Sequence, residues 1–315
     1  MLLQNNHYLI GDAHLGRTFR ADVPLDRRGE REQLLRQAFI DKLEEAAELK
    51  ADKVIQVGDL FDKAVVPLEV LLDTAQIIEQ FAKKHRLMWV HIMAGNHDLA
   101  KQSDRKSCFE VLALLLSHLP NVQVTTETAN LDGKTLLVPY SYTIDFAERM
   151  PAVGQFDVIC THEDEEVLHK NWGAIKKSLA LNGKVYNGHI HAKGEITRDM
   201  ENIGSVLPLA HGEDPEGVMY ITLTPDELEI LNPEILRNAC VRVRVPHGAA
   251  IPNAVDCLQW KVERLDATGQ ELAETLFTTS GDELDVERRM RELLEPLGTY
   301  DRAHAIYMDK KAESY

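Results

Sequence analysis

Short apolar and β-branched runs alternate with longer segments of helical period through the first two thirds of the chain. Residues 7–10, 53–57, 88–93, 158–161 and 184–187 read as strands. Between them, Leu34, Leu35, Ala38, Leu43 and Ala46 recur at helical spacing, as do Val70, Leu71, Ile77, Ile78 and Phe81, so these segments are covering helices. Such alternation predicts a layered α/β architecture. Each predicted strand runs out into a polar cluster: Gly11-Asp12, Gly58-Asp59, Gly95-Asn96-His97-Asp98, His162, and Gly188-His189-Ile190-His191. Ligands in open α/β sheets gather beyond the carboxyl ends of the strands, so the five clusters are expected to meet at one site.

After the last cluster the pattern changes. Residues 218–223 and 228–231, separated by Thr224-Pro225-Asp226, read as a hairpin closing the sheet. The first domain is expected to span 1–237. A strictly alternating strand at 241–245 opens a small capping domain, 238–280. A helical tail, 281–315, follows, with Val286, Met290, Leu293 and Leu297 at i, i+4, i+7 and i+11 and charged residues on the other faces. That stripe fits either the protein's own core or a partner.

Composition narrows the picture. With 315 residues and 44% hydrophobic content, the chain can bury a full core and carry a smaller appendage. No apolar run approaches the length of a membrane helix and the first residues lack a signal-peptide pattern, so a soluble, cytoplasmic protein with no membrane partner is expected. The four cysteines, Cys108, Cys160, Cys240 and Cys257, form no CxxC pair and suggest neither a disulfide framework nor a zinc ribbon. A net charge of −16 argues against coating DNA by bulk electrostatics. The charge is uneven, however. Residues 212–234 hold seven acids and no Lys or Arg, whereas Arg17, Arg20, Arg27, Arg28, Arg31 and Arg36 follow the first cluster. Those arginines offer a basic rim for a polyanion, or simply a solvated helix face.

The five clusters read GDAHLG, GDLFD, GNHD, the His of ICTHED, and GHIH. They supply carboxylate, amide and imidazole but no thiolate, which suits Mn²⁺, Fe²⁺ or Zn²⁺. A single Gly-Asp turn or core histidine has an ordinary structural explanation, but no packing rule requires five such clusters at strand exits. Their order resembles the calcineurin-like metallophosphoesterase superfamily over roughly residues 7–225. That resemblance implies a four-layer sandwich of two mixed β-sheets flanked by helices, with a small α+β capping region and the helical tail. It also implies two divalent cations: Asp12, His14 and His191 on the first, Asn96, His162 and His189 on the second, and Asp59 bridging them. His97, paired with Asp98, is implied as the catalytic group that faces the phosphate and protonates the leaving oxygen. Some nuclease relatives carry His where this chain has Asp62, which leaves Asp62 as an orienting or helix-capping residue.

Protein phosphatases of the superfamily read GDxxDRG and GNHE, unlike GDLFDKA and GNHD here. The Leu15-Gly16 pair after His14, the Arg-bearing segment, and Ile203-Gly204-Ser205 with the 212–217 run resemble the SbcD family of repair and recombination nucleases, most of all the recombination nuclease subunit of T-even-type phages. In that family the 203–217 stretch lies on the far side of the metal centre. The resemblance implies a DNA exonuclease and endonuclease subunit with Mn²⁺ as first choice and Mg²⁺, Fe²⁺ or Zn²⁺ as alternatives. It further implies an SbcC-like coiled-coil ATPase partner, the family's homodimer and a bacterial or phage-infected cytoplasm; helix residues near Leu99 to Leu119 fit either such a dimer or the protein's own core. The alternative is a small-molecule or cyclic-nucleotide phosphodiesterase, for which an acidic balance is natural.

Overall fold

The structure, a computed structural model, describes residues 1–265 except 4, 103, 104, 153, 215, 216 and 218. The expected helical tail, its Val286 to Leu297 stripe and the expected end of the capping domain lie outside the described residues. The first sheet contains β1 (His7–Ile10), β2 (Lys53–Val57), β3 (Trp89–Met93) and β4 (Val122–Thr125) in that order. Every pairing in it is parallel, so this sheet is not mixed. Its crossovers are α1 (Glu30–Glu48), α2 (Leu68–Lys84) and α3 (Cys108–Leu116).

The second sheet has the order β5-β6-β7-β8-β10-β9, from β5 (Ala129–Asn130), β6 (Thr135–Val138), β7 (Phe156–Thr161), β8 (Leu179–Asn187), β9 (Gly194–Thr197) and β10 (Met200–Asn202). It is mixed, with antiparallel pairs at both margins. Three short helices accompany it: α4 (Phe146–Arg149), α5 (Glu165–Lys170) and α6 (Trp172–Ser178).

Period-two alternation sorts these side chains into layers. Tyr8, Ile10, Val54, Val90 and Ile92 join a core with Phe39, Leu43, Ile78, Phe81 and Leu112 of α1 to α3. Their neighbours Leu9, Ile55, Val57 and Met93 face Leu137, Val158, Cys160 and Tyr186 of the second sheet. Leu136, Val138, Ile159 and Val185 then pack outward on Phe146, Leu168 and Ile175. Helix, sheet, sheet, helix is therefore the stacking order, as the sequence led us to expect. Both faces of each sheet are covered, which is why the strands read as continuous apolar runs.

The expected hairpin after residue 218 does not form. β11 (Tyr220–Leu223) is followed by α7 (Pro225–Ile230) and α8 (Pro233–Arg237). Thr224 caps α7 reciprocally with Glu227, and Pro225 sits in its first turn, a combination that nucleates helix. β11 instead pairs in parallel with β12 (Cys240–Val245), which pairs with β13 (Gln259–Arg264). This third sheet thus joins strands from both sides of residue 237.

Part of the arginine-bearing segment is not a free basic rim, although Arg20 and Arg28 are exposed. Arg27 and Arg31 are buried. Arg27 bonds Glu30, Asp256 and the Arg237 carbonyl, and Arg31 reaches Gln259 and the Tyr220 hydroxyl. The backbone of Asp22 and Ala21 accepts from Trp260 and Gln259. These arginines clamp the third sheet to the chain beside the first motif, while Arg36 pairs with Asp73.

Candidate metal centre

Strand ends deliver the functional side chains, and unusual backbone aims them. Among the described residues six non-glycine positions have positive φ, and three of them are His14 (45°), Asp59 (52°) and His189 (69°). Such left-handed conformations cost energy and cluster at functional sites. The 12–15 and 59–62 loops are zipped together by main-chain bonds: Ala13 and His14 donate to the Asp59 carbonyl, Leu15 to Leu60, and Asp62 to Leu15. Gly58, at φ +88°, and Gly95 are required by space. A methyl at Gly58 would overlap the His162 ring, and one at Gly95 would overlap the Asp59 carboxylate.

All seven side chains expected as ligands come together. His14 Nε2 lies 2.9 Å from His191 Nε2, and His191 Nε2 lies 3.6 Å from Asp12 Oδ2. Nearby, His162 Nε2 lies 3.1 Å from Asn96 Oδ1 and 3.3 Å from Asp59 Oδ2, while His189 Nδ1 is 3.0 Å from the same Asn96 oxygen. Asp59 Oδ2 is also 3.7 Å from His14 Nε2, so it stands between the two groups.

In three of the four rings the second nitrogen reveals what the first one presents. His162 Nδ1 donates to the Val57 carbonyl at 2.9 Å, His189 Nε2 to Asp164 at 2.9 Å, and His191 Nδ1 to Glu213 at 3.0 Å. A neutral imidazole that donates through one nitrogen carries a lone pair on the other. With these three rings neutral, their lone pairs face the oxygens of Asn96, Asp12 and Asp59, an arrangement that a divalent cation reconciles and that a proton on His162 Nε2 relieves in its absence. The buried Asp12 Oδ2 lacks a hydrogen-bond partner, which is costly in isolation and expected of a ligand atom. The residues fit two divalent ions: one among Asp12, His14 and His191, the other among Asp59, Asn96, His162 and His189.

The charges are strongly linked. Burial pushes the Asp12 carboxyl up, against the pull of the His162 imidazole. Burial would also raise Asp59, but His162 and His14 hold it well below the usual carboxylate range. His162 is opposed by burial, yet Asp59 and Asp12 push it up to about 10. Its Nε2 thus sits where positive charge is favoured.

Asp98 requires a correction. It does not pair with the His97 ring. Its buried carboxylate accepts the backbone N–H groups of Leu60, Phe61 and Gly95 at 3.1, 2.8 and 2.9 Å, so it ties two ligand-bearing loops together from within. The His97 ring, exposed at the mouth, has Nδ1 2.6 Å from the Asp62 carbonyl, and its main-chain N–H donates to Asp59. Asp62 is not a helix cap. Its carboxylate lies 3.6 Å from His14 Nδ1 and 3.4 Å from Arg17, which makes it an orienting group.

Sequence reasoning did not identify Asp164 and Glu213 as histidine partners, nor Asn187. The Asn187 side chain accepts from Thr161 Oγ1 and the Glu163 N–H and donates to the Glu163 carbonyl and Asn202. This buried network aligns the ends of β7 and β8. The 203–206 segment backs the site, with Ser205 and Val206 donating to the His191 and Asp12 carbonyls.

The family model for calcineurin-like phosphoesterases matches residues 8–193, the stretch that supplies every one of these candidate ligand side chains. The chain belongs to the calcineurin-like phosphoesterases. As a calcineurin-like phosphoesterase it is a metal-dependent hydrolase of phosphoesters. Among solved structures it is similar to the Pseudomonas putida nuclease MPE, at 16% identity and a TM-score of 0.31, over 62% of this chain and 67% of that one. No curated protein matches it. Among the described residues no helix is long and apolar enough to cross a membrane.

Proposed function

We propose that the chain is the nuclease subunit of an SbcD-like DNA repair and recombination complex, cleaving DNA phosphodiesters at ends with two Mn²⁺ ions and working with an SbcC-like ATPase. The hydrolytic part is carried by one observation: two groups of converging lone pairs beside an exposed, oriented histidine. Two divalent ions, when bound, neutralise phosphate charge and acidify a water molecule. The chain's own residues do the rest. The ions' ligands, Asp12, His14, Asp59, Asn96, His162, His189 and His191, fix the phosphate between two loops that Asp98 holds in register. His97 donates through Nδ1 to the Asp62 carbonyl, leaving Nε2 to face substrate. In hydrolysis the attacking water forms the new P–O bond and gives up a proton to solvent, the bond to the leaving oxygen breaks, and His97, reacting as the imidazolium, hands its Nε2 proton to that oxygen.

DNA as substrate is supported by the Leu15-Gly16 context, the Gly204 turn behind the ligands and the tail pattern. A homodimer is supported by exposed Leu68 and Leu72 on α2 and Leu114 and Leu115 on α3, since such apolar surface favours association. A cyclic-nucleotide or small-molecule phosphodiesterase is the second reading, favoured by the net charge of −16 and by the clamped arginines. The deciding assay uses end-labelled linear DNA with Mn²⁺ and Mg²⁺ side by side. We expect Mn²⁺-dependent degradation, lost on His97→Ala with both metals retained. A metal-loaded protein that cleaves bis(p-nitrophenyl) phosphate but never DNA, even with its ATPase, would sink the nuclease reading and leave the second one.

A further inference from the structure

The loop after β6 is stitched to the ligand loops. Tyr140 donates its main-chain N–H to the Ala94 carbonyl at 3.0 Å, and the Tyr142 hydroxyl donates to the Asn96 carbonyl at 2.9 Å. The Tyr140 ring stands edge-on against Tyr142, with centroids 5.0 Å apart at 80°. Ser141 Oγ accepts the N–H groups of Thr143 and Ile144 and closes the turn. The Tyr142 ring is thus held by its hydroxyl and by its neighbour, yet it remains 40% exposed. Among the described residues the only other exposed Trp, Tyr or Phe is Trp89, which begins β3, at the opposite end of that strand from Asn96. Lys101 Nζ lies 5.9 Å from the Tyr142 ring centroid.

An exposed aromatic face is unfavourable in water, and fixing it in place has already removed its rotamer entropy. Both features suit a platform for another flat ring. The nearest chemistry is a phosphodiesterase centre one residue from the His97 proton donor. We propose that Tyr142 is a nucleobase subsite: a base flanking the scissile phosphate stacks on its ring, with Lys101 beside the adjoining backbone phosphate. Stacking of this kind tolerates any base, because every base has a π-face. The inference rests on the nucleic-acid reading given above and names the residue that gives this site a preference for nucleotides over plain phosphodiesters.

The test compares two substrates with one leaving group, thymidine 5′-(p-nitrophenyl phosphate) and methyl p-nitrophenyl phosphate, on the full chain loaded with Mn²⁺. The readout is the ratio of their kcat/KM values. Wild type should favour the nucleotide ester by about 10-fold or more. Tyr142→Phe and Tyr142→Trp, which retain a ring, should keep that ratio, and Tyr142→Leu should bring it close to one. Binding of a fluorescent oligothymidine in EDTA should weaken in the same order. Equal loss in the Phe and Leu variants would show that Tyr142 acts only as a strut for Asn96 and would overturn the subsite. A wild-type ratio near one would overturn it as well. Intact linear DNA with the ratio retained would instead overturn the DNA reading and leave the subsite standing.

Discussion

The two sheets bring different chemistry to a common edge. Strands β1, β2 and β3 end on Asp12, His14, Asp59 and Asn96, and β7 and β8 end on His162, His189 and His191. The first sheet thus supplies every carboxylate and the amide, whereas the second supplies only imidazoles. Each candidate ion draws on both: His191 crosses to Asp12 and His14, and His162 and His189 cross to Asp59 and Asn96. Negative charge therefore comes from the side whose strands are uniformly parallel and buried, and neutral donors come from the side with irregular margins. The site is a junction between layers as well as a reaction centre.

If that division of labour is right, the largest effect should follow loss of the shared carboxylate. Asp59→Asn preserves size, but we expect hydrolysis of bis(p-nitrophenyl) phosphate to fall by about 10³-fold or more and bound metal, counted by elemental analysis, to fall below two per chain. Two metals with wild-type turnover would break the comparison. Next comes the second sheet's own scaffold. Asn187→Leu leaves buried partners of four hydrogen bonds unpaired, a loss of about 3 kcal/mol in chemical denaturation. A change under ~0.5 kcal/mol would show that β7 and β8 are aligned by something else.

A pH titration compared with a His91 variant probes the first sheet. His91 on β3 is buried against Gln123 and Trp89, and burial lowers its pKa from 6.5 to about 4. The unfolded chain takes up the proton first, so this residue's contribution is complete above pH 6.5 and is lost as pH falls toward about 4. The loss reaches at most ~3 kcal/mol. His91→Gln should flatten the stability profile in that window, and an unchanged slope would contradict it. The smallest effects belong to the rings' outer partners. Glu213→Gln and Asp164→Asn should each weaken metal binding by about 10- to 100-fold in a calorimetric titration, with the fold intact. Unaltered affinity would show that the imidazoles of the second sheet are oriented without them.

The same contrast explains what could be read from the chain. Strands 7–10 and 53–57 were legible residue for residue, because fully covered parallel strands leave unbroken apolar runs that stop at Gly-Asp. The polar clusters at the strand exits were legible for the same reason, and the family resemblance singled out the seven candidate ligand side chains that the fold brings together. The helix at Pro225–Ile230 was misread, although Thr224 and Glu227 carried a capping pattern, because Leu228, Ile230 and Leu231 also suit a strand. Asp164 and Glu213 gave no signal in a periodic pattern. Asp164 stands at the N-terminal end of α5 and Glu213 ends a short 3-10 turn, His211–Glu213, and their relation to His189 and His191 is created by the tertiary fold. Asp98 was assigned by its neighbour in sequence, whereas its carboxylate is used 37 and 38 residues away in chain position.

The left-handed backbone at His14, Asp59 and His189 bears on how portable this centre is. Transferring seven side chains to another scaffold would not transfer the site, since at three positions the direction of the Cα–Cβ bond is set by a conformation that ordinary strands and helices do not offer. What must be moved is a set of strand exits with their glycines and the carboxylate that staples the loops. For the same reason, sequence drift at these three positions is confined mainly to glycine and to small polar residues such as Asn and Asp that tolerate positive φ. The centre is inherited as a backbone shape, into which the chemistry is then placed.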